Sequence, residues 1–279
     1  MHSYPDRDEG VISATEGRER RVADRPVEAA QPYLSLVVPA YNEGGRLGET
    51  VRTIVGYLDR QPYRWELIVV DDGSTDDTLA LAAAFADWDS RVVAVANPHR
   101  GKAYAVRSGV ARARGKVVGF TDADLATPID SLDRALPLLA DGTDVVIGSR
   151  EGQGAVRRDE PFYRHLMGRV FNGLVQLLAL PGIQDTQCGF KLLRGPVARE
   201  LFGALLLYGD DAPPPVGPAV TAFDVELLYL ARRRGYRIAA MPVLWQYIAE
   251  SKVDPLKDSV RNLRDLLAVR LNALRGRYR

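Results

Sequence analysis

The sequence predicts an α/β fold, a mostly parallel central sheet flanked by helices, and three observations predict it. From residue 34 onward, short β-rich apolar runs alternate with stretches whose apolar residues recur at helical spacing. Polar residues gather after the predicted strands, with Asp71, Asp72, Asp122, Asp124, Ser149 and Arg150 all at the carboxyl edge, where such sheets bind ligands. The 279 residues are 46% hydrophobic and 26% charged, an ordinary globular balance that supports a sizeable core.

The elements follow in order. Residues 34–38 form the first candidate strand, and Leu47, Val51, Ile54, Val55 and Leu58 then recur at helical spacing. A second strand over 67–70 runs into Asp71-Asp72-Gly73-Ser74, and a helix from near Thr75 carries Leu79, Leu81, Ala83 and Phe85. Residues 91–96 read as a strand, 102–112 as a helix, 116–121 as a strand, 129–139 as a helix and 144–147 as a strand. Residues 161–180 form an apolar helix with few charges. Three consecutive prolines within 209–219 exclude a helix there, whereas 222–233 is helical and 243–247 a strand. From residue 255, Leu256, Val260, Leu263, Leu267, Leu271 and Leu274 make a helical stripe flanked by Lys257, Arg261, Arg264, Arg270 and Arg275.

Composition narrows the function. A net charge of +1 gives no electrostatic case for nucleic acid. The single cysteine, Cys188, rules out an internal disulfide and fits a reducing compartment. No run of about 18 apolar residues occurs, so a soluble or peripheral protein is expected. The first strand ends in "VPAYNEGGRL", not in a G-x-G-x-x-G fingerprint, and "HRGKAYA" lacks the Walker A spacing. In "TDADLATP", Asp122 and Asp124 stand one residue apart after an apolar run. Two carboxylates facing one side repel unless solvent, a helix N-terminus or a cation relieves them. Magnesium or manganese suits such oxygen donors, taking one or two carboxylates plus phosphates and waters.

Together "VVPAYNEGGRL", "VVDDGSTDDT", "RGKAYAVRSG", "FTDADLATP", "GSR", "DTQCGFK" and "FDVELL" resemble the inverting glycosyltransferases of the GT-A, family 2 type. Within that group the set is most similar to dolichyl-phosphate or polyprenyl-phosphate glucosyltransferases, relatives of dolichyl-phosphate mannose synthase. The resemblance spans roughly residues 33–271. It implies a Rossmann-like nucleotide-diphospho-sugar transferase fold for a catalytic domain at 32–254; the polar stretch 1–31 reads as a flexible leader and 255–279 as an amphipathic basic helix. It implies a UDP-glucose donor, a polyprenyl-phosphate acceptor, Mg2+ or Mn2+, and a peripheral position on the cytoplasmic face of a membrane. By the same resemblance Pro39, Tyr41 and Glu43 would line the nucleoside pocket, and Asp71 or Asp72 would accept a hydrogen bond from the base. Lys102 would lie near the phosphates, Asp122 and Asp124 would hold the metal, and Asp185 and Gln187 would border the sugar. Arg150 and Arg169 would clamp the acceptor phosphate, with Lys191 assisting.

Plainer readings stand beside these. Tyr41 could be a packed aromatic, Asp72 a turn residue, and Arg150 and Arg169 surface ion pairs. Glu226 reads as a structural partner in an apolar helix and Cys188 as a small buried hydrophobe; His99 and His165 receive no role. A phosphate acceptor is already ionised and needs cations to position it, for which the arginine fork is well shaped. A hydroxyl acceptor would instead need a general base, with Asp185, Asp224 and Glu226 as candidates. Mannosyl transfer from GDP-mannose is the alternative for the donor.

Overall fold

The computed structural model describes residues 31–208, 222–248 and 255–278. The leader (apart from Gln31), the loop of 209–219, the boundary at 254 and the side chains of Leu256 and Lys257 lie outside the described residues. The first half contains β1 (Leu34–Ala40), α1 (Leu47–Leu58), β2 (Trp65–Asp71), α2 (Thr78–Trp88), β3 (Val92–Ala96), α3 (Lys102–Arg112) and β4 (Val117–Phe120). A 3-10 turn (Ile129–Ser131) leads into α4 (Leu132–Ala140), followed by β5 (Val145–Ser149), β6 (Val156–Arg158) and α5 (Phe162–Leu178). Then come β7 (Lys191–Arg194), α6 (Gly195–Gly203), α7 (Phe223–Arg233), β8 (Ile238–Pro242), β9 (Leu244–Gln246) and α8 (Pro255–Leu274).

Seven strands form one sheet in the order β3-β2-β1-β4-β7-β5-β8. Every neighbour pair is parallel except those of β7, which runs antiparallel to both β4 and β5. The mostly parallel sheet predicted from the alternation is therefore present. Strand side chains alternate between two cores. Val37 and Val70 join α3, α6 and α7 on one face, while Leu36, Val38 and Val69 join α1 and α4 on the other. Burial on both faces explains why these strands read as unbroken apolar runs.

Several details differ from the sequence reading. The strand expected at 243–247 is the shorter β9, which pairs with β6 in a separate two-stranded sheet; the sequence reading missed β8 just before it, which pairs with β5 in the main sheet. β8 opens on Ile-Ala-Ala, a weak strand former, so its partner rather than its propensity makes it a strand. β7 was not foreseen, because four residues with a charge at each end carry no readable period. The apolar stripe read from the sequence is present in α8, and it faces outward. Leu263, Leu267, Leu271 and Leu274 are exposed, whereas Asn262, Leu266, Val269 and Asn272 are buried where the helix packs on α5 and α7. Among the described residues no helix is long and apolar enough to cross a membrane.

Candidate active site

The sheet changes winding direction between β1 and β4, and the loops leaving these strands frame the crevice that such a reversal opens. β4 pairs with β1 only as far as Val37, so Pro39 lies past that ladder, where its missing N–H breaks no β4 bond. The loop after β1 is tied to the loop after β2. Asn42, held in the left-handed region at φ 52°, accepts the Thr75 N–H at 2.8 Å and donates its own to Ser74 Oγ at 2.9 Å. The Glu43 N–H reaches Thr78 Oγ1 at 2.7 Å, and the Glu43 carboxylate meets Arg46 Nε at 2.9 Å.

The two aspartates ending β2 divide their work. Asp71 Oδ2 accepts the N–H groups of Gly73 and Ser74, while its buried Oδ1 has no hydrogen-bond partner among the described residues. Asp72 turns to the loop after β3, accepting the Arg100 N–H at 3.0 Å, the Gly101 N–H at 2.8 Å and His99 Nδ1 at 2.9 Å. Burial pushes the Asp72 carboxyl up, against the pull of these donors. Gly101 ends that loop as the N-cap of α3, so Asp72 fixes where Lys102 begins its helix.

Lys102 Nζ lies 2.5 Å from Asp122 Oδ1. Burial opposes the ammonium's charge, but the carboxylates of Asp122, Asp224 and Asp124 outweigh it and hold Lys102 above its usual pKa. For Asp124, burial and then the Asp122 charge push the carboxyl up. Its Oδ1 accepts the Ala126 N–H, and Leu125 beside it is held at φ 48°, an uncommon place for a bulky residue and typical of strained functional turns. Thr50 Oγ1 of α1 donates to Ala123 O at 2.5 Å and anchors this turn. A cleft of ≈ 780 Å³ opens beside it, lined by Asn42, Glu43, Arg46, Thr50 and Asp124 among others.

β7 brings the remaining charges to the same edge. Because it runs against its neighbours, its first residue, Lys191, lies opposite Phe120 and Ile147 near the carboxyl ends of β4 and β5. Lys191 is fully buried, 2.6 Å from Asp224 Oδ1 of α7 and 2.6 Å from Cys188 O. Arg150, just past β5, grips Asp185 bidentately through Nε at 2.7 Å and NH2 at 2.9 Å, leaving NH1 outside the fork. Burial alone would raise the Asp185 carboxyl, but the Arg150 guanidinium holds it well below the usual carboxylate range. Gln187 donates its backbone N–H to Asp185 Oδ1 at 3.1 Å. Arg169, on the exposed side of α5, touches Glu151 at 3.2 Å. Burial pushes the Cys188 thiol up, which suits an inert packed side chain.

The structure thus gathers Lys102, Asp122, Asp124, Asp224 and Lys191 into one charge network, with Arg150, Asp185 and Gln187 in a second. It puts Arg169 on a surface helix. The sequence reading left out His99, whose partner Asp72 is 27 residues away, and it gave Gly189 no role. Both lie inside motifs the sequence shows, but what each contacts depends on residues distant along the chain.

Such a crevice, with an Asp-x-Asp turn at the switch of a doubly wound sheet, defines the GT-A class of glycosyltransferases. The model of the family described as "Glycosyl transferase family 2" matches residues 35–202, and the chain belongs to that family. Its similar relatives include proteins named dolichyl-phosphate beta-glucosyltransferase. That of Drosophila melanogaster is 36% identical, over 88% of this chain and 77% of its own. That of Homo sapiens is 35% identical with the same coverage, and that of Dictyostelium discoideum is 32% identical over 88% and 76%. Among solved structures, glucosyl-3-phosphoglycerate synthase from Mycobacterium tuberculosis, in complex with Mn2+, UDP and phosphoglyceric acid, aligns at TM-score 0.61 and 25% identity over 85% of this chain and 78% of that one. The mannosyltransferase PcManGT from Pyrobaculum calidifontis, in complex with GDP-Man and Mn2+, aligns at TM-score 0.55 and 25% identity over 88% and 65%.

Proposed function

We propose that this glycosyltransferase moves glucose from UDP-glucose to a dolichyl or polyprenyl phosphate, inverting the anomeric carbon and giving a lipid-linked monophospho-sugar. The names of the relatives favour glucose and a lipid phosphate, and the UDP complex of the mycobacterial synthase favours uridine. One observation carries the choice of a phosphate acceptor: the three carboxylates that the sequence offers as a base for a hydroxyl acceptor, Asp185, Asp224 and Glu226, are each engaged. Asp185 is locked by Arg150, Asp224 by Lys191, and Glu226 by the N–H groups of Leu206 and Leu207 and the Tyr278 hydroxyl. An ionised phosphate needs no base.

In this reading Pro39, Tyr41 and Glu43 line the nucleoside pocket, and the orphaned Asp71 Oδ1 accepts the base N–H while Asp72 holds the loop that carries Lys102. Asp122 and Asp124 fit a divalent cation: their oxygens are hard donors, and burial beside a like charge raises Asp124. Asp122 and Asp124 would be the protein's contribution to holding the ion, and a metal bound through one or two carboxylates would draw its other ligands from phosphates and water. When bound, Mg2+ or Mn2+ neutralises charge developing on the leaving diphosphate. Lys102, paired with Asp122, would add a second positive charge near the diphosphate. Arg150 NH1 and Arg169 attract and orient the acceptor phosphate, with the charge of buried Lys191 assisting from behind, and Asp185 and Gln187 border the sugar.

The lipid substrate gives a role to the outward apolar faces. Phe162, Leu166, Val170 and Leu177 of α5 and Val260, Leu267, Leu271 and Leu274 of α8 are exposed, and the two helices pack together. The exposed Arg169, Arg264, Arg275 and Arg277 lie on or just past these helices. Exposed apolar rows on two packed helices with basic neighbours suit an anionic membrane face, here the cytoplasmic one.

The test offers UDP-glucose and GDP-mannose in parallel, each with polyprenyl phosphate in detergent and Mg2+ or Mn2+. EDTA and lipid-free reactions serve as controls. Lipid-linked glucose that disappears with EDTA is the expected result. A productive GDP-mannose would overturn the donor, and transfer only to soluble acceptors would overturn the lipid phosphate.

A further inference from the structure

The Tyr41 ring lies stacked on the His99 imidazole, with centroids 4.2 Å apart and planes inclined by 17°. His99 is itself fastened underneath. Its Nδ1 lies 2.9 Å from Asp72 Oδ2 and 3.0 Å from Asp72 O; a carbonyl oxygen only accepts, so Nδ1 carries the proton and donates. The His99 backbone comes so close to Gly73, at φ 73°, that a Cβ there would meet the His99 nitrogen at 2.6 Å. Three successive residues, His99, Arg100 and Gly101, are therefore clamped to one buried carboxylate. Immediately before that carboxylate, Asp71 presents its buried, unpartnered Oδ1.

We infer that His99 is a positioning residue for the base of the donor: it fixes the plane of Tyr41, against which a flat heterocycle bearing an imide N–H stacks beside Asp71. The inference rests on the nucleotide-sugar reading above. It deepens that reading by naming what holds the stacking surface in place. A ring stacked on the Tyr41 face narrows the rotamers open to it before the ligand arrives. The same clamp reaches Lys102 through Gly101, so the base and diphosphate halves of the site share one anchor, Asp72.

The experiment is calorimetric titration of UDP with Mn2+ into the full chain and into Tyr41→Ala, His99→Ala, His99→Phe, His99→Leu and the Tyr41→Ala/His99→Ala double variant. Steady-state kinetics accompany it. His99→Ala should weaken UDP by roughly three- to tenfold, the worth of one aromatic pair, raising the donor KM with little change in kcat. His99→Phe keeps a flat ring and should restore most of the affinity, whereas His99→Leu should not. Adding His99→Ala to Tyr41→Ala should cost less than about twofold more, because its effect runs through the tyrosine. If His99→Ala does not fold, as judged by its melting transition, the Phe–Leu comparison decides. Unchanged affinity, equal affinity of the Phe and Leu variants, or a fully additive double variant would each overturn the inference. Wild-type protein that does not bind UDP would overturn the donor reading beneath it.

Discussion

The Asp122 carboxylate rests against position 189, where a Cβ would meet Oδ2 at 2.0 Å. Only glycine leaves room for that carboxylate where Lys102 meets it. Gly189→Ala is expected to push Asp122 aside and weaken Mn2+-dependent UDP binding by about tenfold or more, since overpacking a close contact costs ~1–3 kcal/mol. Calorimetry of Mn2+ and UDP measures this; affinity equal to wild type would show that Asp122 can be moved without consequence. At the same scale the sequence shows both aspartates of the Asp-x-Asp triplet, but it does not show that Gly189, far along the chain, makes their room. It equally left Asp71 and Asp72 as equivalent candidates. The structure separates them by a single fact, that Asp72 has accepted the next loop's donors and Asp71 has an oxygen to spare.

Among the elements, α8 has two faces with different partners. Its inner face holds the domain: Asp265 accepts the Ala222 N–H at 3.1 Å and the Tyr208 hydroxyl, and just past the helix Tyr278 donates to Glu226 at 2.8 Å. Its outer face carries Leu267, 53% exposed, and neighbouring α5 carries Val170, 60% exposed. Leu267→Asp with Val170→Asp should abolish co-sedimentation with anionic vesicles while leaving UDP affinity within about twofold, because surface changes away from a site are usually energetically small. Retained sedimentation would assign the apolar rows to something other than a lipid surface. Amphipathicity was legible in the sequence, but the direction of the stripe was not. A helical period marks one side of a helix, and only packing on α5 and α7 decides whether that side faces in or out.

For the whole molecule, the Arg150–Asp185 pair joins the end of β5 to the segment that leads into β7, the strand reversed between β4 and β5. Both groups are desolvated, and their mutual contact does most to offset that burial. Asp185→Asn should therefore destabilise the fold by about 3–5 kcal/mol near neutral pH, as expected when one partner of a buried pair is removed. The sign of its pH dependence follows from the depressed folded pKa of Asp185. The stabilisation is full above the unfolded value of about 4 and is lost as pH falls from there towards the folded value. Urea midpoints of wild type and variant should converge on acidification below about pH 4. A gap that stays constant or widens there would mean that the pair is not what tunes this carboxyl.

The sequence alone determined the alternation of strands and helices, the carboxylates at the strand ends, and the ordered motifs that mark a family 2 glycosyltransferase. All of these are local, written in side-chain period and in spacing of a few residues. The tertiary structure decided what depends on residues distant in sequence. It turned β7 antiparallel and so carried Lys191 to the catalytic edge, set His99 beneath Tyr41, closed the Asp185 fork on Arg150, and turned the stripe of α8 outward. Each rests on a contact or burial choice whose partners lie far apart along the chain, and the free energy of such a pairing exists only once the sheet has brought them together.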